Sequence, residues 1–384
     1  MNEVTEVDEF RSRADSWLQA NRHHAPRDYG AICPPDLIDA GVAWQKSLFG
    51  AGLAGIHWPK KFGGQGLTNI HQAAWIELCA LNGVPPFLNM VGLLLAGGAI
   101  MRYGTAQQQS QHLLSTLDAT RVWCQLFSEP GAGSDLGSLS TVAERDGDRY
   151  IINGQKVWCS GGRYSDWGIL MARTNRDAGK HDGISFFLFP MDLPGVEIRP
   201  LKQITGEAEF DEVFFTDVSL PADQLLGPLD GGWGVGMAVL TSERGHIGAS
   251  VIGLERRLES MASLASDRSL TAMQRQDLTG LLSRGNAFKA MGQRQGPDAS
   301  TASSLMKLGI TEMMFDSATL AADLAGAEAM LEGPSSYGVL AATGGRIAGG
   351  TSQVQRNIIG ERLLGLPREP REPREPRPQP GTPS

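Results

Sequence analysis

The chain has 384 residues, 41% of them hydrophobic and 20% charged, a globular balance that excludes wholesale disorder and leaves room for two or three packed units. A net charge of -8 argues against nucleic acid as the main partner, because phosphate binding draws its affinity from clustered Lys and Arg. Cys33, Cys79, Cys124 and Cys159 lack metal-type spacing and are expected to be reduced core thiols rather than a disulfide framework.

The start, MNEVTEVDEF, is acidic and carries no apolar run behind a basic flank, so no secretory signal is read there and the chain is expected in the cytoplasm. From about residue 5 to residue 118 apolar residues recur three or four apart, as between Leu37 and Leu53, which predicts an all-helical unit over 1–118. The longest apolar stretch, Val84 to Met101, holds Pro85, Pro86, Asn89 and three glycines. It suits a buried helical segment better than a bilayer span, so no membrane insertion is expected. Between Arg121 and Pro221 short runs rich in Val, Ile, Phe and Trp are broken by Asp146-Gly147 and Asn153-Gly154, both hairpin-turn dipeptides, and 119–228 is read as antiparallel β. Helical spacing returns with Val235, Val239, Ile247, Val251 and Leu254, giving a second helical unit over 229–366. Over 367–384 Arg-Glu-Pro repeats three times from Arg368 to Pro376. Proline at every third position blocks helix and ladder bonds, so an exposed, disordered tail is expected, either a solvated appendage or a docking segment.

Three clusters could carry chemistry. Leu126-Phe-Ser-Glu-Pro-Gly-Ala-Gly-Ser-Asp135 sits at a predicted strand end, where backbone N–H groups and the Ser128 and Ser134 hydroxyls could converge on an anion, or simply form a turn. Asn153 to Gly162 places Trp158 beside Ser160; an indole there either walls a planar cofactor or fills the core. Gly349 to Arg356 reads as a loop opening into a helix, with Thr351 or Ser352 as the cap, and a cap alone would explain it. One further residue stands out. Glu243 follows Val239 and Leu240 and precedes Ile247 on a predicted apolar helix stripe. A carboxylate there is either a general base with a raised pKa or half of a structural ion pair with Arg244 or Arg356. His246 lies off the stripe.

In order, spacing and wording these clusters resemble the acyl-CoA dehydrogenase family, from about Asp8 to Pro367. Ser128 to Asp135 is similar to the family's Thr/Ser-Glu-Pro-Gly-Ala-Gly-Ser-Asp, Gly154 to Ser160 to Gly-Gln-Lys-x-Trp-x-Thr/Ser, and Gly350 to Arg356 to Gly-Thr-Ser-Gln-x-Gln-Arg. Residues 55–64, Gly-Ile-His-Trp-Pro-Lys-Lys-Phe-Gly-Gly, match a further signature. The resemblance implies an α+β, mainly α fold, with an N-terminal helical domain, a middle antiparallel barrel-like β domain and a C-terminal helical bundle. It implies FAD bound by Gln125, Phe127, Ser128, Gly133, Ser134, Trp158, Ser160, Gly350, Thr351 and Gln353, the last two often touching a neighbouring subunit's FAD. It implies an acyl-CoA channel lined from Thr241 to Arg244, with Arg244 and Ser134 near the pantetheine and phosphates. The implied reaction is that of fatty-acid β-oxidation. A carboxylate removes the proton α to the thioester, a hydride leaves the β carbon for flavin N5, and electrons pass to an electron-transfer flavoprotein, in a homodimer or homotetramer.

Two departures matter. Where most members place the catalytic Glu before Gly-Thr-Ser, this chain has Gly349, which cannot take a proton; some members use the helix position that Glu243 occupies here, and Glu243 is therefore the expected base. An Arg-x-x-Phe-Gly segment that holds FAD across a subunit interface is missing after Leu254. That loss, with Ile-Thr-Gly-Glu-Ala-Glu-Phe at 204–210, resembles actinobacterial lipid- and steroid-degrading members, some of which pair two unlike chains. Alternatives are a subunit that supports a partner's active site, a flavin monooxygenase or oxidase on the same scaffold, and a dehydrogenase acting on a carrier-protein thioester.

Overall fold

The helical periodicity of the first part of the chain resolves into α1 (Glu3–Asn21), α2 (Ile38–Gly50), α3 (Asn69–Asn82), α4 (Gly97–Tyr103) and α5 (Ala106–Leu117). The structure is a computed structural model that describes residues 3–368, apart from 30–31, 245–253, 255, 257, 260, 264, 267–268 and 293–298. At 3–4, 241–244, 292 and 299–302 it describes the backbone alone. His246 and the Arg-Glu-Pro repeats beyond Arg368 lie outside the described residues. Helix α5 opens on a reciprocal cap: Thr105 Oγ1 accepts from Gln108 N and Gln108 Oε1 accepts from Thr105 N, which satisfies two otherwise orphaned donors.

Two buried amides weld this helical unit together and to the sheet that follows. Gln45 Nε2 donates to the carbonyls of Thr116 and Leu117, and its Oε1 accepts from Leu88 N and Asn89 N. Asn89 Oδ1 in turn accepts from Gly92 N and from Trp123 N, the first residue of the sheet. The apolar stretch from Val84 to Met101 is buried and helical in its second half, through a π-helical turn over Gly92–Ala96 that leads into α4. The Leu93 carbonyl in that turn accepts from the Trp58 indole, so the Trp at the centre of the 55–64 signature is a fully buried wedge. Among the described residues no helix is long and apolar enough to cross a membrane.

The middle of the chain forms one sheet of seven strands: β1 (Trp123–Leu126), β2 (Val142–Asp146), β3 (Arg149–Ser160), β4 (Trp167–Arg173), β5 (Ile184–Pro190), β6 (Val196–Leu201) and β7 (Phe210–Pro221). The order is β1-β4-β2-β3-β7-β6, with β5 on the other edge of β4. Antiparallel pairing dominates, but β1 pairs β4 in parallel and β2 touches β4 in parallel. The expectation of a purely antiparallel sheet is corrected there: β2 and β3 intervene in sequence, and such a crossover returns β4 alongside β1 in the same direction. Strands β4 and β5 read as near-continuous apolar runs because both of their faces are covered. Ile169, Met171, Ile184, Phe186 and Leu188 join the helical core, and Leu170, Ala172, Phe187 and Phe189 form a second core with Val213, Phe215 and Val218.

The β2–β3 hairpin turns at Gly147-Asp148, with Gly147 at φ 58°, and Asp146 of the expected turn dipeptide is the last residue of β2, paired with Arg149. Asn153-Gly154 is not a turn, contrary to the sequence expectation: it lies inside β3 at a bulge against β7. The Asn153 side chain donates to Asp217 Oδ1 and accepts from Asp217 N, so the amide bridges two strands instead of closing a loop. Gly154 has φ 148°, and a Cβ on it would lie 2.6 Å from Thr141 Oγ1. The glycine serves a close strand crossing.

The last part is helical: α6 (Gly232–Arg244), α7 (Ala272–Gly292), α8 (Ala299–Ala325), α9 (Pro334–Gly345) and α10 (Ser352–Ile358). Leu254, Leu258, Met261 and Ala265 pack with Leu281, Ile310 and Met313 in a core of their own. Helix α6 belongs to the other core, with Val235 and Val239 buried against the sheet. All four cysteines are free and buried.

Candidate active site

The site is organised by the place where β3 lets go of β7. Regular pairing between the two is interrupted between Lys156 and Cys159, and the three residues there turn to different tasks. Lys156 points inward and is fully buried; its Nζ donates to the Phe127 carbonyl at 3.0 Å and to Glu129 Oε1 at 2.8 Å. Val157 N donates to the Ser128 carbonyl at 2.9 Å. Trp158 takes a left-handed φ of 61°, a conformation that costs a bulky residue energy and clusters at functional sites. The turn throws its indole outward, 54% exposed, braced edge-on by Phe210 at 5.7 Å. Trp158 is therefore not a core tryptophan.

Opposite Trp158 runs the loop that leaves β1. Phe127 is buried edge-on against Phe186, Ser128 is half-buried, and Gly131, Gly133 and Ser134 are exposed. Where a Cβ would stand on Gly131 or Gly133 there is open space. Glu129 and Ala132 bridge back to one another, closing the loop on itself. Glu129 is buried and its carboxylate is saturated: Oε2 accepts from Ser140 N at 2.6 Å and Ser140 Oγ at 2.7 Å, and Oε1 accepts from Thr141 N at 2.9 Å and from Lys156. Burial pushes the Glu129 carboxyl upward, but the Lys156 charge and these hydrogen bonds outweigh it and hold it down at about 2. Burial lowers the Lys156 ammonium, and Glu129 opposes that shift.

The other sequence candidates fall around this core. Gln125 is half-buried on β1, facing Ile169 of β4, and Ser160 ends β3 opposite Phe210. Asp135 pairs with Lys180 of the β4–β5 loop, and in the same loop the His181 imidazole stacks on Trp233 at 4.3 Å. Trp233 opens α6, which approaches the sheet so closely that a Cβ on Gly232 would lie 2.3 Å from the Ser185 carbonyl carbon. Thr241, Glu243 and Arg244 are on the last turns of α6, with Glu243 one helical turn beyond buried Val239. Their side chains, and with them a Glu243–Arg244 pair, lie outside the described residues. Among the described residues Arg356 pairs with Glu312, at 3.5 Å.

The third cluster sits in the C-terminal helices. Thr351 caps α10 by accepting from Val354 N, as the sequence indicated. Lys307 of α8 donates to the Gly350 carbonyl, Ser352 Oγ to Glu312, and Gln355 Nε2 to the Gly349 carbonyl. Gln353 is exposed. The bonds that fix this turn run within the helical bundle, so the structure does not tie Gly350, Thr351 and Gln353 to the Trp158 cluster as it ties Phe127 and Ser128. Sequence reasoning assigned nothing to Lys156 and Glu129. A signal existed: Lys156 falls on the same strand phase as inward-facing Tyr150 and Ile152, and an ionisable group there needs a buried partner.

Comparison with known proteins finds one family between residues 6 and 364. Residues 6–119 match the acyl-CoA dehydrogenase N-terminal domain, 124–218 the middle domain and 230–364 the C-terminal domain. Acyl-CoA dehydrogenase IpdE1 of Mycobacterium tuberculosis is 38% identical over 385 residues, covering 95% of this chain and 99% of that one. Among solved structures, the Tcur3481-Tcur3483 steroid ACAD superposes with a TM-score of 0.80 at 25% identity, covering 96% of this chain and 98% of that one. The ChsE4-ChsE5 complex from Mycobacterium tuberculosis gives 0.76 at 26% identity, covering 94% and 98%.

Proposed function

The chain belongs to the acyl-CoA dehydrogenase family of enzymes, and on that premise we propose that it oxidises an acyl-CoA thioester to the trans-2-enoyl-CoA with Glu243 as the base. The observation that carries the reading is the outward-turned Trp158, hydrogen-bonded through its neighbour Val157 to a loop whose glycines face open space. A half-exposed indole beside exposed backbone N–H groups and hydroxyls fits a flat ring system with an anionic tail. The residues present thus suit FAD, with Trp158 and Ser160 along the ring system, and Gln125, Phe127, Ser128, Gly133 and Ser134 on the loop side. Gly350, Thr351 and Gln353 would complete the site from the bundle or from a neighbouring subunit.

Bound FAD would supply the acceptor for the hydride and pass the electron pair to an electron-transfer flavoprotein. The chain's own residues do the rest. Glu243 takes the α proton from a backbone position one turn beyond buried Val239. Arg244, whose guanidinium stays charged, and Ser134 would bind the phosphate and pantetheine portions, with Thr241 lining the channel. We assign domain boundaries after residues 118 and 228, a cytoplasmic location, and a homodimer or homotetramer.

The test is an anaerobic titration of the purified protein with a panel of acyl-CoAs, following flavin absorbance, beside Glu243→Gln. Bleaching in the wild type and a rate lowered by about 10²–10⁴-fold in the variant, with FAD still bound, is the expected result. Bleaching that survives in Glu243→Gln removes the base assignment; no bleaching with any thioester removes the dehydrogenase reading. A second reading, a subunit of a hetero-oligomer, draws on the likeness to assemblies of two differently named proteins. A chain that purifies colourless and binds FAD only beside an unlike partner would favour it.

A further inference from the structure

We propose that Lys156 and Glu129 act together as a positioning unit that holds the 127–134 loop at its working distance from Trp158, touching neither substrate nor cofactor. The inference rests on the reading of that loop and Trp158 as the flavin site. Three features of the geometry lead to it. The pair clips the loop at both ends, since Lys156 Nζ holds the Phe127 carbonyl where the chain leaves β1, and Glu129 holds Ser140 and Thr141 where it enters β2. The same three residues of β3 bind the loop twice and then present the indole: Lys156 to Phe127, Val157 to Ser128, Trp158 outward. A shift of the loop must therefore move the bulge that sets the direction of Trp158. Finally, the span between the clips is exposed at Gly131, Gly133 and Ser134, so its shape is imposed from below, by the buried charges.

An ion pair placed for stability alone could be exchanged for neutral groups of similar shape with little consequence. A positioning unit could not, because the Phe127 carbonyl would lose its donor even where the fold survives. The double variant Lys156→Met with Glu129→Gln separates the two roles, since it removes both charges, keeps the volume and leaves one amide oxygen to accept from Ser140 N or Thr141 N. The expected result is an apo-protein that melts close to wild type but binds FAD about tenfold more weakly or worse, with an altered visible circular dichroism of the bound flavin. Wild-type FAD affinity and an unchanged flavin spectrum in the folded double variant would overturn the proposal. Should the double variant not fold, Ser140→Ala decides: it removes one exposed hydroxyl donor to Glu129 Oε2, and a weaker FAD affinity supports the clamp while an unchanged one overturns it. A wild-type protein that binds no FAD under any condition would instead remove the premise, an outcome visible before any variant is made.

Discussion

The two glycine- and hydroxyl-rich turns of this protein look alike as sequence and are held in opposite ways. The turn at 349–351 is held mainly by neighbours in the chain: Thr351 caps Val354 three residues on, and Gln355 reaches back to Gly349. Its longer ties, Lys307 to the Gly350 carbonyl and Ser352 and Arg346 to Glu312, are only part-buried and so less stabilising than a fully buried pair. The loop at 127–134 is held by a partner 27 residues away, a fully buried ammonium against a saturated carboxylate. The first kind of anchor yields in small increments. The second is close to all-or-none, because removing either charge strands the other in a low-dielectric interior.

Lys156→Met alone should break the contrast most sharply, costing about 3–5 kcal/mol of unfolding free energy by leaving the Glu129 carboxylate buried and unpaired. Urea denaturation monitored by Trp fluorescence measures it, and a loss under about 1 kcal/mol would mean that the pair is solvated or dispensable. Acid should reveal the same anchor. Because the Glu129 pKa falls from 4.5 to about 2 on folding, the folded chain binds fewer protons in that window. Its contribution, about 3 kcal/mol, is present above pH 4.5 and lost as the pH falls toward 2. The acid limb of a stability–pH curve should therefore be shallower in the doubly neutral variant, and superimposable curves would contradict the assignment. The smallest effect belongs to the other turn: Thr351→Ala removes one cap and should cost about 1 kcal/mol. Loss of stability as large as that of Lys156→Met would show that the two turns are not anchored differently after all.

The helical, β and helical succession, the capped start of α10 and the buried character of 84–101 were legible because each depends on spacing within a few residues. The residues that pointed to the family were legible too, since the loop, the Trp158 segment and the Gly-Thr-Ser turn are contiguous. Asn153-Gly154 misled because the same dipeptide that closes a hairpin also suits a bulge, and its partner Asp217 is 64 residues further on. Lys156 was passed over for a related reason, since an inward strand phase becomes an ion pair only when a carboxylate arrives from another segment.

What the sequence determined by itself was thus the kind of element at each place and the family of site they build. Local periodicity, caps and glycine chemistry act over one or two turns of chain and need no neighbours. What the tertiary structure decided was the ownership of particular hydrogen bonds: that Val157 gives its N–H to Ser128 and not to β7, that Lys156 and Glu129 meet, and that Trp158 must therefore face outward. Those bonds depend on which distant strands become neighbours, and a buried donor or charge takes whatever partner the fold brings within reach.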